Sequence, residues 1–133
     1  MIEISISTNG RNDFVEITDL IRDVVKREAW LDGVLYIHIP HTTAGITINE
    51  HADPSVVHDI ITQFDKRIPW KDSYAHSEGN SAAHIKSSLT GASTFIFIEN
   101  SKLMLGMWQG VFFTEFDGPR NRRVWLKFIP SKM

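Results

Sequence analysis

Apolar and polar residues alternate at the start of the chain, where Ile2, Ile4 and Ile6 flank Glu3 and Ser5. A period of two predicts a half-buried β-strand. Other segments that are apolar or alternating predict further strands at 34–39, 46–49, 94–98, 107–116 and 124–129. The 34–39 segment is apolar almost throughout, so we expect a central strand that is covered on both faces.

Helical spacing of apolar residues marks two longer segments. Thr18 is predicted to cap a first helix with apolar positions at Leu20, Ile21, Val24, Val25 and Trp30. Asp53-Pro54 predicts the start of a second helix, since Asp caps well and Pro suits the first helical position. Its apolar stripe is Val56, Val57, Ile60, Ile61 and Phe64, and Pro69 ends it. A shorter helix is predicted at 82–89, closed by Gly91.

The order of these elements does not alternate regularly between strands and helices. It therefore favours an α+β fold over a doubly wound parallel sheet. We predict one domain over residues 1–133, with an antiparallel, sandwich-like sheet and two main helices. With 133 residues and 42% apolar content, the chain is large enough to form a core without disulfides or metals.

Charge and cysteine content narrow the function. The formal net charge is −2, which is a poor match for a nucleic-acid partner. No apolar segment is long enough to cross a membrane, so we expect no membrane association. The chain has no cysteine, which excludes thiol nucleophiles and disulfides and fits a cytoplasmic location. Its six histidines are the nitrogen ligands available to a metal.

The first candidate for chemistry is His41-Thr42-Thr43, followed by Asn49-Glu50-His51. His41 comes just after one predicted strand, and Asn49 and Glu50 lie at the end of the next. A hairpin could bring His41 near Asn49 or Glu50. The alternative is a turn stabilised by threonine hydroxyls, with a surface histidine.

The second candidate is the polar segment that leads into the short helix. It contains His76, Glu78 and Asn80, followed by His84 and Ser88. Ser81 could cap the helix, and unpaired N–H groups at a helix start attract anions. Lys86 and Ser87 add a cation and a hydroxyl, so a phosphate site is one interpretation. A solvated loop with an ordinary cap is the other.

Two further candidates lie near the end of the chain. Trp108, Gln109 and Glu115 occupy the predicted strand at 107–116. Gln109 and Glu115 share a face with apolar neighbours, and such a mixed face is either a site or a subunit contact. Glu115 could equally be a carboxylate near solvent at the strand end. Arg120, together with Arg122 and Arg123, could clamp a phosphate, since guanidinium groups match its oxygens. The alternative for this arginine group is a solvated hairpin.

Three segments of the sequence, taken together, indicate a protein family more specifically than any single motif does. HTTAGITINEHADP, HSEGNSAAHIKSSLTGAS and LGMWQGVFFTEFDGPR occur in this order. The sequence from about Ile4 to about Lys127 resembles the YjbQ family of small proteins. The resemblance implies an α+β sandwich that assembles as a homotrimer, with the shared motif residues in one cleft. It also implies a weak, secondary thiamine-phosphate synthase activity.

Two positions depart from the family pattern. His51 stands where similar sequences often carry Asn or another small polar residue. Many members have an acidic residue between the Glu-Gly pair and the second histidine, where this chain has Asn80-Ser81-Ala82-Ala83. Glu78 or Glu50 would then have to serve as the carboxylate.

The residues and the resemblance together predict a cleft for a small phosphorylated metabolite. The predicted catalytic residues are His84, Glu50 and Glu78, and the predicted ligands of a divalent metal, Mg²⁺ or Zn²⁺, are His41, His76 and His84. The predicted ligand-binding residues are Thr42, Thr43, Asn49, Ser88, Trp108, Gln109, Glu115 and Arg120. A trimer that binds a metabolite without turnover is the alternative to an enzyme, and the sequence does not separate the two.

Overall fold

The structure is a computed structural model that describes residues 1–131. Its elements are, in order, β1 (Ile2–Ser7), β2 (Asp13–Glu16), α1 (Thr18–Arg27), β3 (Gly33–His38), β4 (Ala44–Glu50), α2 (Pro54–Arg67), α3 (Ser81–Thr90), β5 (Ser93–Glu99), β6 (Lys102–Leu103), β7 (Gln109–Glu115) and β8 (Asn121–Pro130).

The strands form two antiparallel sheets. A five-stranded sheet has the order β1-β8-β3-β5-β6, and a three-stranded sheet has the order β2-β7-β4. The apolar core between them includes Leu35 and Ile37 of the first sheet and Val111 and Phe113 of the second. The prediction of an α+β fold with antiparallel sheets is therefore confirmed.

The number of elements differs from the prediction. The helix α3 has 10 residues and is as long as α1, so the structure has three comparable helices rather than two main ones. The strands β2 and β6 were missed because four and two residues are too short to show a period. The strand β7 begins at Gln109 rather than at residue 107, after a turn in which the Gln109 N–H donates to the Gly106 carbonyl at 3.0 Å.

Helix ends follow the sequence in part. Asp53 caps α2 as predicted, with its carboxylate accepting the Ser55 N–H at 2.9 Å. Thr18 is not a cap, because Ile17 holds that position and the Thr18 hydroxyl instead accepts the Val111 N–H at 2.9 Å. Asn80, rather than Ser81, occupies the cap position of α3.

The faces of β3 also differ from the prediction. Leu35 and Ile37 are fully buried on the inner face, but the outer face carries Tyr36, which is 51% exposed. On the neighbouring strand, Phe95 and Phe97 are 51% and 55% exposed. The prediction that β3 is covered on both faces is therefore wrong within one chain.

Candidate functional site

Two open depressions meet at His41 and Thr42, in the loop between β3 and β4. The histidine pocket has a volume of about 520 Å³ and is lined by His41, Thr42, Ala44, His84, Ser87, Ser88, Gly91 and Ala92. The arginine pocket, of about 490 Å³, is lined by His38, Ile39, Pro40, His41, Thr42, Thr43, Ala92 and Arg122. The first and second candidate segments of the sequence therefore meet here.

Close packing of α3 against β4 shapes the histidine pocket. The Ser87 hydroxyl donates to the Thr42 carbonyl at 2.7 Å, which fastens the helix to the β3–β4 loop. A Cβ at Gly45 would lie 2.3 Å from Thr90 Oγ1 and 2.5 Å from the Gly91 carbonyl oxygen. Only glycine at position 45 lets the end of α3 approach the sheet this closely.

The surroundings of His41 favour the neutral form of its imidazole. Its Nε2 accepts the backbone N–H of Arg123 at 3.0 Å, so the ring proton of the neutral form lies on Nδ1. Partial burial and the nearby Arg122 guanidinium lower the pKa of His41 below its ordinary value. His41 can therefore donate a hydrogen bond through Nδ1, but its Nε2 is already occupied.

The other two predicted metal ligands contact each other. The rings of His76 and His84 lie 5.4 Å apart between centroids, at 85°. His84 shares the histidine pocket with His41. Within residues 1–131, however, no group of three or more His, Cys, Asp or Glu side chains is placed to hold a metal ion. One chain alone does not assemble His41, His76 and His84 into a metal site.

A buried ion pair underlies the arginine pocket. Glu115 is fully buried, and Arg122 binds it through Nε and Nη2 at 2.8 and 2.5 Å. Arg122 Nη2 also donates to Thr43 Oγ1 at 2.8 Å, and the Thr8 hydroxyl donates to Glu115 at 2.8 Å. Burial by itself raises the pKa of Glu115, but the hydrogen bonds from Arg122, the Asp117 N–H and Thr8 bring it below its ordinary value.

This pair corrects two sequence interpretations. Glu115 does not lie near solvent at the strand end, and its oxygens are bonded to protein groups rather than turned to a ligand. The guanidinium that lines a pocket belongs to Arg122, which sequence reasoning treated only as part of an arginine group. The alternation of β8 carries the missing signal, because Arg122 is in phase with the buried Val124 and Leu126.

Arg120 lies near the start of α3, but its side chain is hydrogen-bonded to Asp117. It donates to the Asp117 carbonyl at 2.7 Å and to the Asp117 carboxylate at 3.1 Å. The same carboxylate accepts Asn80 Nδ2 at 2.9 Å, and Glu78 accepts that amide group at 3.1 Å. The N-terminus of α3 is thus surrounded by Glu78 and Asp117, and the almost wholly buried Lys86 is paired with Asp65 of α2.

The remaining predicted residues lie at the other end of the three-stranded sheet. Glu50 pairs with Gln109 and Asn49 with Gly110, whereas Ala44 pairs with Glu115. Six residues of strand separate the two ends, a distance of about 20 Å. The expectation that a hairpin brings His41 near Asn49 or Glu50 is wrong, because β4 runs straight away from His41.

The predicted set is therefore divided within one chain. His41, Thr42, His84 and Ser88 line one pocket, and Thr43 joins them through the adjoining one. Asn49, Glu50, Trp108 and Gln109 form a separate group, with Trp108 60% exposed.

The family model for UPF0047 protein YjbQ-like matches residues 2–131. The chain belongs to the YjbQ family. This YjbQ-like chain is 51% identical to the UPF0047 protein MJ1081 of Methanocaldococcus jannaschii, over 99% of the chain and 96% of that protein. It is 45% identical to the UPF0047 protein YugU of Bacillus subtilis, over 95% of the chain and 96% of that protein.

Solved structures share the YjbQ-like fold. A crystal structure of an uncharacterized YjbQ/UPF0047 protein from Clostridium acetobutylicum aligns with a TM-score of 0.94 at 53% identity, covering 97% of this chain and all of that one. A hypothetical protein from Aeropyrum pernix aligns with a TM-score of 0.92 at 28% identity, with 98% of each chain covered. In the described part of this YjbQ-like chain, no helix has the length and apolar content to cross a membrane.

Proposed function

We propose that the histidine pocket binds a small phosphorylated metabolite. The observation that carries this proposal is the lining of the pocket, which offers two imidazoles and three hydroxyl side chains and includes no carboxylate. Hydrogen-bond donors without competing carboxylates suit an anion better than a cation. The Arg122 guanidinium lines the adjoining arginine pocket, where its charge is balanced by the buried Glu115 carboxylate.

The available donors can be separated from those already used. Ser87 and Ser88 donate their hydroxyl protons to main-chain carbonyls, at 2.7 and 2.8 Å. The Thr42 side chain is exposed and makes no hydrogen bond within residues 1–131, so its hydroxyl can serve a ligand. His41 Nδ1, the Thr42 hydroxyl and His84 are the groups that we propose contact the phosphate.

A weak thiamine-phosphate synthase activity is consistent with this pocket. That reaction joins a thiazole phosphate to a pyrimidine pyrophosphate and expels pyrophosphate, so it needs positive charge at the leaving group. Arg122 is already neutralised by Glu115, which limits what it can supply. His84 would act as the acid or base, with Glu78 as its carboxylate.

A divalent ion, Mg²⁺ or Zn²⁺, fits this pocket only with a reduced set of protein ligands. His41 Nε2 is occupied by the Arg123 N–H, so three imidazoles do not converge. We propose that His76 and His84 would hold such an ion together with oxygens of the ligand's phosphate, where the ion would offset phosphate charge. In that arrangement His84 is a metal ligand and no longer the acid or base.

A homotrimer is part of the proposal. Tyr36, Phe95 and Phe97 form an exposed aromatic band on the outer face of the five-stranded sheet. Large exposed aromatic patches are typical of subunit interfaces. We expect Phe97→Asp to shift the mass measured by light scattering from three chains to one, whereas Leu20→Asp on α1, which is also exposed, leaves it unchanged.

The test of ligand binding is calorimetry with inorganic phosphate and with thiamine phosphate. We expect His84→Ala to weaken binding at least about tenfold, the value of one charge-assisted hydrogen bond, with His58→Ala as a surface control. A separate assay measures pyrophosphate release from the thiazole and pyrimidine substrates. If the chain binds thiamine phosphate but releases no pyrophosphate, the second function, a non-catalytic metabolite-binding trimer, is favoured. Unchanged affinity in His84→Ala would contradict the proposed pocket.

A further inference from the structure

A second group of polar side chains surrounds Gly110, at the opposite end of the three-stranded sheet from the histidine pocket. His51 Nδ1 and the Glu16 carboxylate lie 2.8 Å apart. The same carboxylate oxygen accepts the hydroxyl of the buried Thr18 at 2.8 Å. Thr18 is itself fixed by the Val111 N–H, so Glu16 and His51 are held by a chain of contacts that reaches the core.

This contact fixes what His51 offers to a ligand. A carboxylate only accepts, so His51 Nδ1 must carry the proton that bridges to Glu16. In the neutral ring, Nε2 then presents a lone pair, and within residues 1–131 it makes no hydrogen bond. His51 and Glu16 remain partly accessible, with side chains 28% and 39% exposed. The Glu16–His51 pair therefore presents His51 Nε2 as an oriented hydrogen-bond acceptor at the surface.

The backbone of Trp108 lies against the backbone of His51. The His51 N–H donates to the Trp108 carbonyl at 2.9 Å, which continues the pairing of Glu50 with Gln109 by one residue. Trp108 itself lies in the turn that precedes β7, and its side chain is 60% exposed.

Gly110 forms the floor of the group. A Cβ there would lie 2.6 Å from the Glu16 carboxylate and 2.7 Å from the His51 Cβ. Glycine at this position thus makes the Glu16–His51 contact possible.

The surrounding charge is negative. The three segments that build the group, 14–18, 44–54 and 106–112, contain Glu16, Glu50 and Asp53 and have no Lys or Arg. A carboxylate, an imidazole acceptor and an exposed indole face all favour a cation that carries N–H donors, since cations bind over the face of tryptophan.

We propose that Glu16, His51 and Trp108 form a second binding site, for a planar organic cation with N–H donors. The cation stacks on the Trp108 indole, donates one N–H to His51 Nε2 and is balanced by the Glu16 carboxylate. This site is separate from the histidine pocket and opposite to it in charge preference. It assigns a role to His51.

Benzamidinium chloride is the probe for this site, because it is planar, cationic and rich in N–H donors. Benzoate has the same shape with the opposite charge, and N,N,N-trimethylanilinium is a cation without N–H donors. Titrations are followed by the imidazole ¹⁵N resonances of the full chain. We expect saturable benzamidinium binding that shifts His51 Nε2, weaker binding of trimethylanilinium, and no binding of benzoate.

Three variants test the assignment of residues. We expect His51→Asn and Trp108→Leu each to weaken benzamidinium binding at least about tenfold, and Glu16→Gln to do the same. His58→Asn, an exposed histidine outside the group, is the matched control and should bind as the wild type does. Phosphate binding should be unchanged in His51→Asn, so the two proposed sites succeed or fail separately.

Several outcomes would overturn the proposal. If benzoate binds as tightly as benzamidinium, the site does not prefer cations. If both His51→Asn and Trp108→Leu bind benzamidinium with unchanged affinity, these residues do not form the site. Titrations that never saturate would show that no site exists.

Discussion

The two ends of the three-stranded sheet are built on the same pair of strands, β4 and β7, yet they differ in chemistry. At the Ala44–Glu115 end, a buried Glu115–Arg122 pair underlies pockets lined by imidazoles and hydroxyls. At the Glu50–Gln109 end, a half-exposed Glu16–His51 pair lies among carboxylates beside Trp108. We propose that the first end binds an anion and the second a cation, which would give one sheet two surfaces of opposite preference.

Burial decides how much each pair contributes to stability. Removing one partner of the buried pair with Arg122→Met leaves Glu115 charged in the core, and we expect a loss of about 3–5 kcal/mol in the free energy of unfolding. Removing charge from the half-exposed pair with Glu16→Gln should cost no more than about 1 kcal/mol. Urea denaturation of both variants measures the difference. Equal losses would contradict the contrast drawn between the two ends.

Glycine supports each end in a different way. A Cβ at Gly45 would lie 2.5 Å from the Gly91 main-chain carbonyl oxygen, and the atoms nearest to a Cβ at Gly110 include a Glu16 carboxylate oxygen at 2.6 Å and the His51 Cβ at 2.7 Å. The Glu16 carboxylate can rotate away, and the His51 Cβ moves only with a backbone segment that is exposed and lies beyond the end of β4. Because that segment is less constrained than the packed end of α3, Gly110→Ala should cost less stability than Gly45→Ala, for which we expect about 1–3 kcal/mol. The two melting temperatures give the order, and a lower melting temperature for Gly110→Ala would contradict it.

Acid should lower the free energy of unfolding in two stages, through two groups at the histidine-pocket end of the sheet. The pKa of His41 in the folded chain is lowered, so the folded state disfavours the imidazolium, and stability falls as the pH drops below the ordinary histidine value of about 6.5. The lowered pKa of Glu115 adds stability that is lost only at more acidic pH, below the ordinary glutamate value of about 4.3.

His41→Gln removes the first stage, and its denaturation midpoint should change less between pH 7.5 and pH 5 than that of the wild type. His58→Gln, at an exposed position on α2, serves as the control and should follow the wild type. A His41→Gln profile as steep as the wild-type profile would mean that another group carries this loss.

Much of the fold could be predicted from local patterns, and the site could be predicted only in part. Asp53-Pro54 and the alternation at Ile2, Ile4 and Ile6 act through neighbouring residues, and the structure contains the helix and strand they predict. The partners of Glu115 depend on how β7 and β8 fold together, which no local pattern records. The sequence does not predict the burial of Glu115, because a charged residue at a strand end usually faces water.

The division of the predicted site has a similar physical reason. Motif residues such as Thr43 and Glu50 are close in sequence, but extended strand carries them about 20 Å apart. The three sequence blocks define the predicted site residues, whereas the straight course of β4 decides which of them meet in one chain.

One experiment tests the central claim, the opposite preference of the two ends, most directly. Imidazole ¹⁵N spectra are recorded while inorganic phosphate, and then benzamidinium chloride, is added to the wild-type chain. We predict that phosphate shifts the His41 and His84 resonances and leaves His51 unchanged, and that benzamidinium shifts His51 alone. Phosphate that shifts His51, or benzamidinium that shifts His41 and His84, would contradict the account.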